Sequence, residues 1–548
     1  MMLLKGLLLG SVMALASAPE GHAADSPAAT VEAPIDYVRV CDAYGAGFFF
    51  VPGTDTCLKI GGLALSEVQS FNAGYSVAPI GATGMISGKG GTSNPWIYSN
   101  PVRNGGGSTA WGYIPTVAQY SNARSRDDAG WDALGRVELD ARTGTPWGTL
   151  RAFFRMDAFV GTGAGNVGSW STASSFAANP YNAGAGNSVT RATTVINKAF
   201  IQFAGLTAGR AQSMFDFYAN AYNFQRIAGS SATTQLLAYT HTFGDGFSGT
   251  ISLEDENARE AQIGSTVAST SYAGGSIQNI RVGGVSGTSF AGAPSGTAWP
   301  DIVGNVRVDQ PWGSVQVSAA GHEARGSLYA TSASPASASY ASPAASANAY
   351  GWAAQTGVQL NADYLSPGDK LWLQAAYEKG AVSYIWGDNL SSSYGAVSSN
   401  RFTGSGYSPS DGGAGWNANL YDCIFTLSGI CEQQSGFSVT GAYKHYWLPT
   451  LASAFFGSFA AINYSNNALA GFGGAVGAAN LTNTRVGANL VWTPIKGFDV
   501  GAEFMYVNVS QSRPAGLAPD SVLNSVGLPG FKGSENEYEG RVRVQRAF

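Results

Sequence analysis

The sequence predicts an all-β fold: a 16-stranded antiparallel transmembrane β-barrel with short periplasmic turns and long extracellular loops. Three observations carry that expectation. Polar and apolar residues alternate over stretches of about ten positions, the connections between those stretches are tight and long by turns, and no run of about 18 apolar residues follows the N-terminal region to supply a spanning helix. The composition agrees. Of 548 residues 73 are Gly, and 12% are charged, about half the share usual in soluble proteins. The 27 Phe, 25 Tyr and 13 Trp give the chain material to bury and exclude general disorder, and a net charge of −5 offers no basic footprint for nucleic acid.

Taken in order, residues 1–23 read as a secretory signal peptide. Lys5 supplies its positive end, Leu7 to Ala16 its apolar stretch, and Gly21-His22-Ala23 a small-x-small cleavage site. About ten apolar residues are too few to cross a bilayer, which disfavours a membrane anchor. Residues 24–56 then form an N-terminal segment ahead of a barrel that occupies 57–548. The four cysteines, Cys41, Cys57, Cys423 and Cys431, are an even number in an exported chain and read as disulfides. Three pairings are possible, and the two local ones, Cys41 with Cys57 and Cys423 with Cys431, are the economical choice. None of the four His residues (22, 241, 322 and 445) lies at ligand spacing from a cysteine pair, so neither a metal nor another cofactor is expected.

The alternation is clearest on either side of Pro146. In 132–142, Arg136, Glu138, Asp140 and Arg142 share one face, and Val137, Leu139 and Ala141 take the other. In 149–159, Thr149, Arg151, Arg155 and Asp157 oppose Leu150, Ala152, Phe154, Met156 and Ala158. A soluble sandwich would alternate too, so the connections decide. Tight ones fall at 143–148, Gly205-Leu206, Gly244-Asp245-Gly246, Asp309 to Gly313, Ser366 to Lys370, Trp447 to Thr450 and Pro494 to Gly497. Long Gly/Ser/Asn-rich ones lie at about 72–130, 161–190, 214–235, 258–301, 324–350, 383–434, 464–482 and 510–535. Seven short turns and eight long loops join sixteen strands with both termini on the periplasmic side, which is the transmembrane-barrel pattern. In the final stretch 536–548, Tyr538, Val542, Val544 and Phe548 oppose Glu537, Glu539, Arg541, Arg543 and Gln545. Five charged or amide groups on one face suit a hydrated lumen and not a dry core.

The segment Tyr37 to Cys57, YVRVCDAYGAGFFFVPGTDTC, continued by LKIGG, resembles the N-terminal signature of the alphaproteobacterial porins of the rhizobial and Brucella type. Lys198 to Phe217, KAFIQFAGLTAGRAQSMFDF, resembles the same family's hairpin leading into the constriction loop, and the final RVRVQRAF its last strand. The resemblance runs the length of the chain; the long Ala/Ser/Gly-rich loops and the second cysteine pair depart from it. It implies a general-diffusion porin of the outer membrane, assembled as a homotrimer, that passes small hydrophilic solutes and ions. Trimerisation comes from the resemblance alone.

The resemblance implies an inward-folded constriction loop, the third external one, which by strand order is about 214–235, with one acid, Asp216, and one base, Arg226. Its facing wall is expected to hold Arg136, Arg142, Arg151, Arg155, Lys198 and Arg210, with Glu138, Asp140 and Asp157 among them, so that opposed charges set a transverse field. The blander reading of these arginines is that they brace the wall by pairing with the acids. Trp147, Trp312, Trp447, Trp492 and Tyr446, near the turns, suit an interfacial girdle. No catalytic role is expected; His322, on a polar face, is the sole candidate for one. A substrate-specific channel and a barrel-anchored adhesin are the rival functions, and residues 24–56 are too few to form the plug of a large gated receptor.

Overall fold

The computed structural model describes residues 39–71, 99–103, 109–113, 129–163, 190–265, 289–331, 345–386, 420–426, 430–470, 478–513, 515 and 533–548. The expected signal peptide and much of the long connections lie outside the described residues. The sixteen barrel strands are β1 (Thr56–Phe71), β2 (Ala129–Thr145), β3 (Gly148–Gly163), β4 (Thr190–Phe203), β5 (Leu206–Gln212), β6 (Thr233–Gly244), β7 (Phe247–Glu254) and β8 (Asp301–Gln310). They continue as β9 (Gly313–Thr331), β10 (Ala345–Asn361), β11 (Lys370–Lys379), β12 (Ser435–Leu448), β13 (Leu451–Asn463), β14 (Leu481–Ile495), β15 (Phe498–Gln511) and β16 (Ser534–Ala547). Each pairs antiparallel with its sequence neighbours, and β16 closes on β1 from Leu63↔Ala547 to Phe71↔Glu539. Closure removes both sheet edges, which an open sheet in hydrocarbon could not tolerate.

Tight turns alternate with long connections as the sequence predicts. Ala204-Gly205 and Asp245-Gly246 both have two successive positive φ angles (49° and 86°, 50° and 78°), the two-residue turn whose twist matches the strands it joins. At Gly246 a Cβ would also lie 2.0 Å from the carbonyl oxygen of Asp309, so only Gly fits. At the seam, Gly62 and Phe548 exchange two backbone hydrogen bonds of 3.1 Å. The Phe548 ring occupies the place a Gly62 side chain would take.

The faces are inverted relative to a soluble protein. Leu237, Ile251, Val306, Val317, Leu373, Val439, Phe455, Leu490, Phe504 and Val542 are exposed on the outside, whereas Ser252, Gln316, Gln355, Gln374, Thr440, Asn489 and Glu503 are buried within. Trp147, Trp312, Trp447 and Trp492 lie exposed at or beside the turns. Tyr446 departs from that belt: it alternates with His445 and Trp447, and its ring receives Lys444 Nζ at 4.8 Å on the inner side.

Both local disulfides are formed. Cys41–Cys57 ties an N-terminal hook to the inner face of β1, with Phe48 buried against it. Cys423–Cys431 staples strand Tyr421–Phe425 to strand Cys431–Gln433, and the former also pairs in parallel with Gln262–Ser265. Replacing Cys41 and Cys57 by Ser should cost about 3 kcal/mol, the loop-closure entropy of roughly fifteen residues. Urea unfolding of the purified barrel measures the loss, and an unchanged midpoint would show that the hook is held by its other contacts.

Candidate functional site

Between β5 and β6 the chain enters the barrel and crosses it as residues 213–232. Its two legs are joined by Ser213 N–H donating to the Ala232 carbonyl (2.9 Å). From there the inner wall holds the loop by its backbone, strand after strand. Asn305 on β8 donates to the Met214 carbonyl (2.6 Å), Gln355 on β10 to that of Phe215 (2.9 Å), and Gln316 on β9 to that of Asp216 (3.1 Å). Tyr218 N–H donates to Gln374 on β11 (3.0 Å), Thr440 on β12 donates to the Ala228 carbonyl (2.7 Å), and Ala228 N–H donates to Ser458 on β13 (2.9 Å). On β14, Arg485 and Asn489 donate to the carbonyls of Arg226 and Tyr222. On β15, Glu503 accepts from Phe224 and Gln225 N–H (2.6 and 2.8 Å). Each bond satisfies a loop backbone group within the barrel.

The space above this strip is not all water. Val382, Ile385 and Trp386, from the short helix Ser383–Trp386 and its approach, pack with Leu420 and Ile424 against Ala376, Ala442, Ala454, Phe456, Met505 and Val507 of the wall. Phe215, Ala381 and Tyr384 likewise pack on Val303, Ala320 and Ala353, so the lumen is filled along part of β8–β15, a narrower arrangement than barrel width alone implies.

The opposite wall, β1–β4, carries the charges. Arg136 pairs with Asp157 (2.7 Å), Arg155 with Glu138 (2.7 Å), and Asp140 takes both Arg142 (2.7 Å) and Arg151 (2.9 Å). Cross-strand register dictates these pairs, since Arg136 faces Asp157 and Glu138 faces Arg155. Phe153 and Phe200 stack at 5.2 Å, with the Arg151 guanidinium over both rings. The Arg142 guanidinium lies 4.9 Å over Phe48 of the hook. A recess of about 410 Å³ opens here, lined by Lys59, Glu138, Asp140, Arg151, Phe153, Arg155, Lys198 and Phe200. Neither Lys59 nor Lys198 has a carboxylate within 4 Å among the described residues.

Three expected site residues lie elsewhere. Arg210 is on the outer face: it pairs across strands with Ala199 and Gln235, while its neighbour Ala211 packs inward with Phe200 and Leu236. Asp216 does not face the pore. It is buried, accepts from Ala232 N–H (2.7 Å), Gln212 and Ser230, and pairs with the equally buried Arg259 at 3.1 Å. Arg226 sits in the stretch clamped to β13 and β14; burial, helped by the nearby Arg485 charge, lowers its pKa yet leaves it charged at neutral pH. Opposed loop and wall charges are thus not what the site contains, because the loop's one acid is spent on Arg259.

His322 is buried beside Asp301 (Nδ1 at 2.8 Å), with Asp422 at 3.4 Å from Nε2 and Tyr384 donating to Asp301 (2.6 Å). The Arg259 guanidinium lies 4.2 Å over the Tyr384 ring, so this group stitches the connections after β7 and β11 to the constriction loop. The wall residues that hold the loop were not singled out by the sequence reading. Their signal was present: the polar inward positions on β8–β14 are mostly amides and hydroxyls, whereas those on β2–β3 are mostly charged.

The sequence pattern of the family described as "Porin subfamily" matches residues 25–97 and 102–527. Porin Omp2b of Brucella suis biovar 1 (strain 1330) is 29% identical over 319 residues, 57% of this chain and 64% of that protein. Porin Omp2b of Brucella abortus (strain 2308) is 30% identical over 313 residues, 56% and 66% of the two chains. The alignments therefore span just under two thirds of these relatives. Among solved structures, the outer membrane channel DcaP of Acinetobacter baumannii is similar over 91% of this chain and 99% of its own, with 13% identity and a TM-score of 0.45. The anion-selective porin from Comamonas acidovorans covers 90% and 100%, with 8% identity and a TM-score of 0.39.

Proposed function

This chain belongs to the porin subfamily, barrels of the outer membrane, and from that premise we propose that it is a water-filled channel for passive diffusion of small hydrophilic solutes and ions, with a preference for anions. One observation supports the reading above all: the hydrogen bonds that clip the constriction loop come mostly from neutral side chains of β8–β13, and the recess in the opposite wall sets Lys59, Arg151, Arg155 and Lys198 against Glu138 and Asp140. In a low-dielectric tube such an excess of one sign lowers the entry cost of the opposite ion. The family resemblance supports a homotrimer, and the apolar outer face supports lipid as the surrounding solvent.

Planar-bilayer recording of the purified, unboiled protein tests the reading. Stepwise conductance, solute flux linear in concentration and a reversal potential on the anion side of zero in a KCl gradient are expected. Saturating flux would favour a substrate-specific channel. An absence of conductance would leave the barrel as an anchor for a surface function.

A further inference from the structure

Along the charged wall, strand register sets the inward side chains in rows. Lys59 on β1 faces Asp140 on β2, Asp140 faces Phe153 on β3, and Phe153 faces Phe200 on β4. Two residues farther from the periplasmic turns, Gly61, Glu138, Arg155 and Lys198 stand side by side in the same way. These two rows line the recess of about 410 Å³, within the roughly 300–1,000 Å³ of pockets that take small organic molecules. Its acids are already engaged, Glu138 by Arg155 and Asp140 by Arg142 and Arg151. The ammonium groups of Lys59 and Lys198 are left without a carboxylate of their own among the described residues.

Two phenyl rings are unexpected in a wet, charged wall. Phe153 and Phe200 point inward, stacked at 5.2 Å and only half-buried. Phe200 packs on Ala211 and Leu236, which fixes the pair in place. The Arg151 guanidinium lies 5.1 Å over the Phe153 ring and 5.5 Å over that of Phe200, and the Arg155 guanidinium lies 5.6 Å over Phe153. The floor of the recess is therefore a set of flat faces, phenyl and guanidinium, with a free ammonium toward either end. Strands about 4.8 Å apart set Lys59 about 10 Å from Phe153, and Lys198 stands about 7 Å from Phe200 along β4, spans that a lysine side chain bridges. An inorganic anion would use the ammonium groups and leave the rings wet. A sugar would use neither ammonium, and a cation would meet like charge. A planar ring that carries a carboxylate uses both features, since its face stacks on phenyl and guanidinium while its charge meets a lysine.

We propose that this recess is a transient binding site for aromatic carboxylates: the ring lies against Phe153, Phe200 and Arg151, and the carboxylate pairs with the free ammonium groups of Lys59 and Lys198. The inference rests on the anion-passing channel proposed above and names the solute class that its recess retains. Chloride current through the full-length protein in a planar bilayer is titrated with sodium benzoate and, separately, with sodium acetate, which carries the same carboxylate without the ring. Benzoate should reduce the current saturably and at about one tenth of the acetate concentration, the gain expected from covering one face of a phenyl ring. Replacing Phe153 and Phe200 by Leu removes the flat faces but keeps apolar bulk, and should bring the two half-blocking concentrations together. Lys59→Gln combined with Lys198→Gln should weaken both anions alike, and a double variant that holds benzoate as tightly as the wild type would overturn the site. The wild-type comparison needs no variant, so it decides the matter if the leucine protein folds poorly. Equal block by benzoate and acetate in a conducting wild type would overturn the inference and leave the channel standing. Calorimetric titration of benzoate into the purified barrel in detergent reads the site without any current. Binding by a non-conducting protein would keep the site and remove the channel, and an absence of binding would remove the site.

Discussion

Replacing Arg259 by Met is expected to destabilise the barrel by about 3 kcal/mol, the lower part of the range for stranding one member of a buried ion pair. Arg259 and Asp216 are both shut off from solvent, and the pair joins the constriction loop to the connection after β7. Without the guanidinium, Asp216 keeps its bonds from Ala232, Gln212 and Ser230, which is why the upper part of the range is not expected. Asp216→Asn alone strands the arginine and should cost as much. The double variant should recover at least half of the summed losses, since neither charge is then left unpaired. Urea unfolding from lipid vesicles gives the three stabilities, and additive losses would show that the pair does not act as a unit. Open-channel noise should rise in both single variants as the loop loosens.

The second large effect is on selectivity. Changing Lys59 and Lys198 to Glu turns an excess of cations in the recess into an excess of acids, without touching any wall ion pair. The anion-to-cation permeability ratio should fall on the order of tenfold and pass through unity, because one unit charge at about 4 Å is worth about 1 kcal/mol even in water. The shift should shrink at 1 M salt, where screening reaches only about 3 Å. Zero-current potentials across a KCl gradient at low and high salt measure it. A ratio unmoved by the double change would place the limiting aperture away from β1 and β4.

Much of the architecture was legible because a barrel in a bilayer must repeat two local rules, alternation within strands and uneven connections between them. All seven tight turns follow from those rules, and the position of the inward loop follows from them together with the family resemblance. Arg210 was misplaced because charge was taken as a marker of the lumen. Counted from Leu206, strand alternation puts it on the outer face with Leu206 and Ala208, and seven residues gave too short a pattern to outweigh the charge. Asp216 was misjudged for a different reason. Its partner Arg259 lies 43 positions away in a connection with no periodic signal, so the neutralisation of the loop's acid is a tertiary fact. The filled sector of the lumen was hidden likewise, since Val382, Ile385, Leu420 and Ile424 read as loop residues until the chain returns them to the wall.

The barrel wall's hydrogen bonds to the constriction loop fall mostly on main-chain atoms, from the Met214 carbonyl to the Ala228 amide, while the Asp216 side chain ties the loop to Arg259. Variation can therefore rewrite the side chains that the loop presents to the lumen while the ribbon that carries them keeps its course. Outside Asp216 and the buried Phe215, Tyr218 and Ile227, what the loop shows to the lumen and what holds it in place are separate atoms of the same residues.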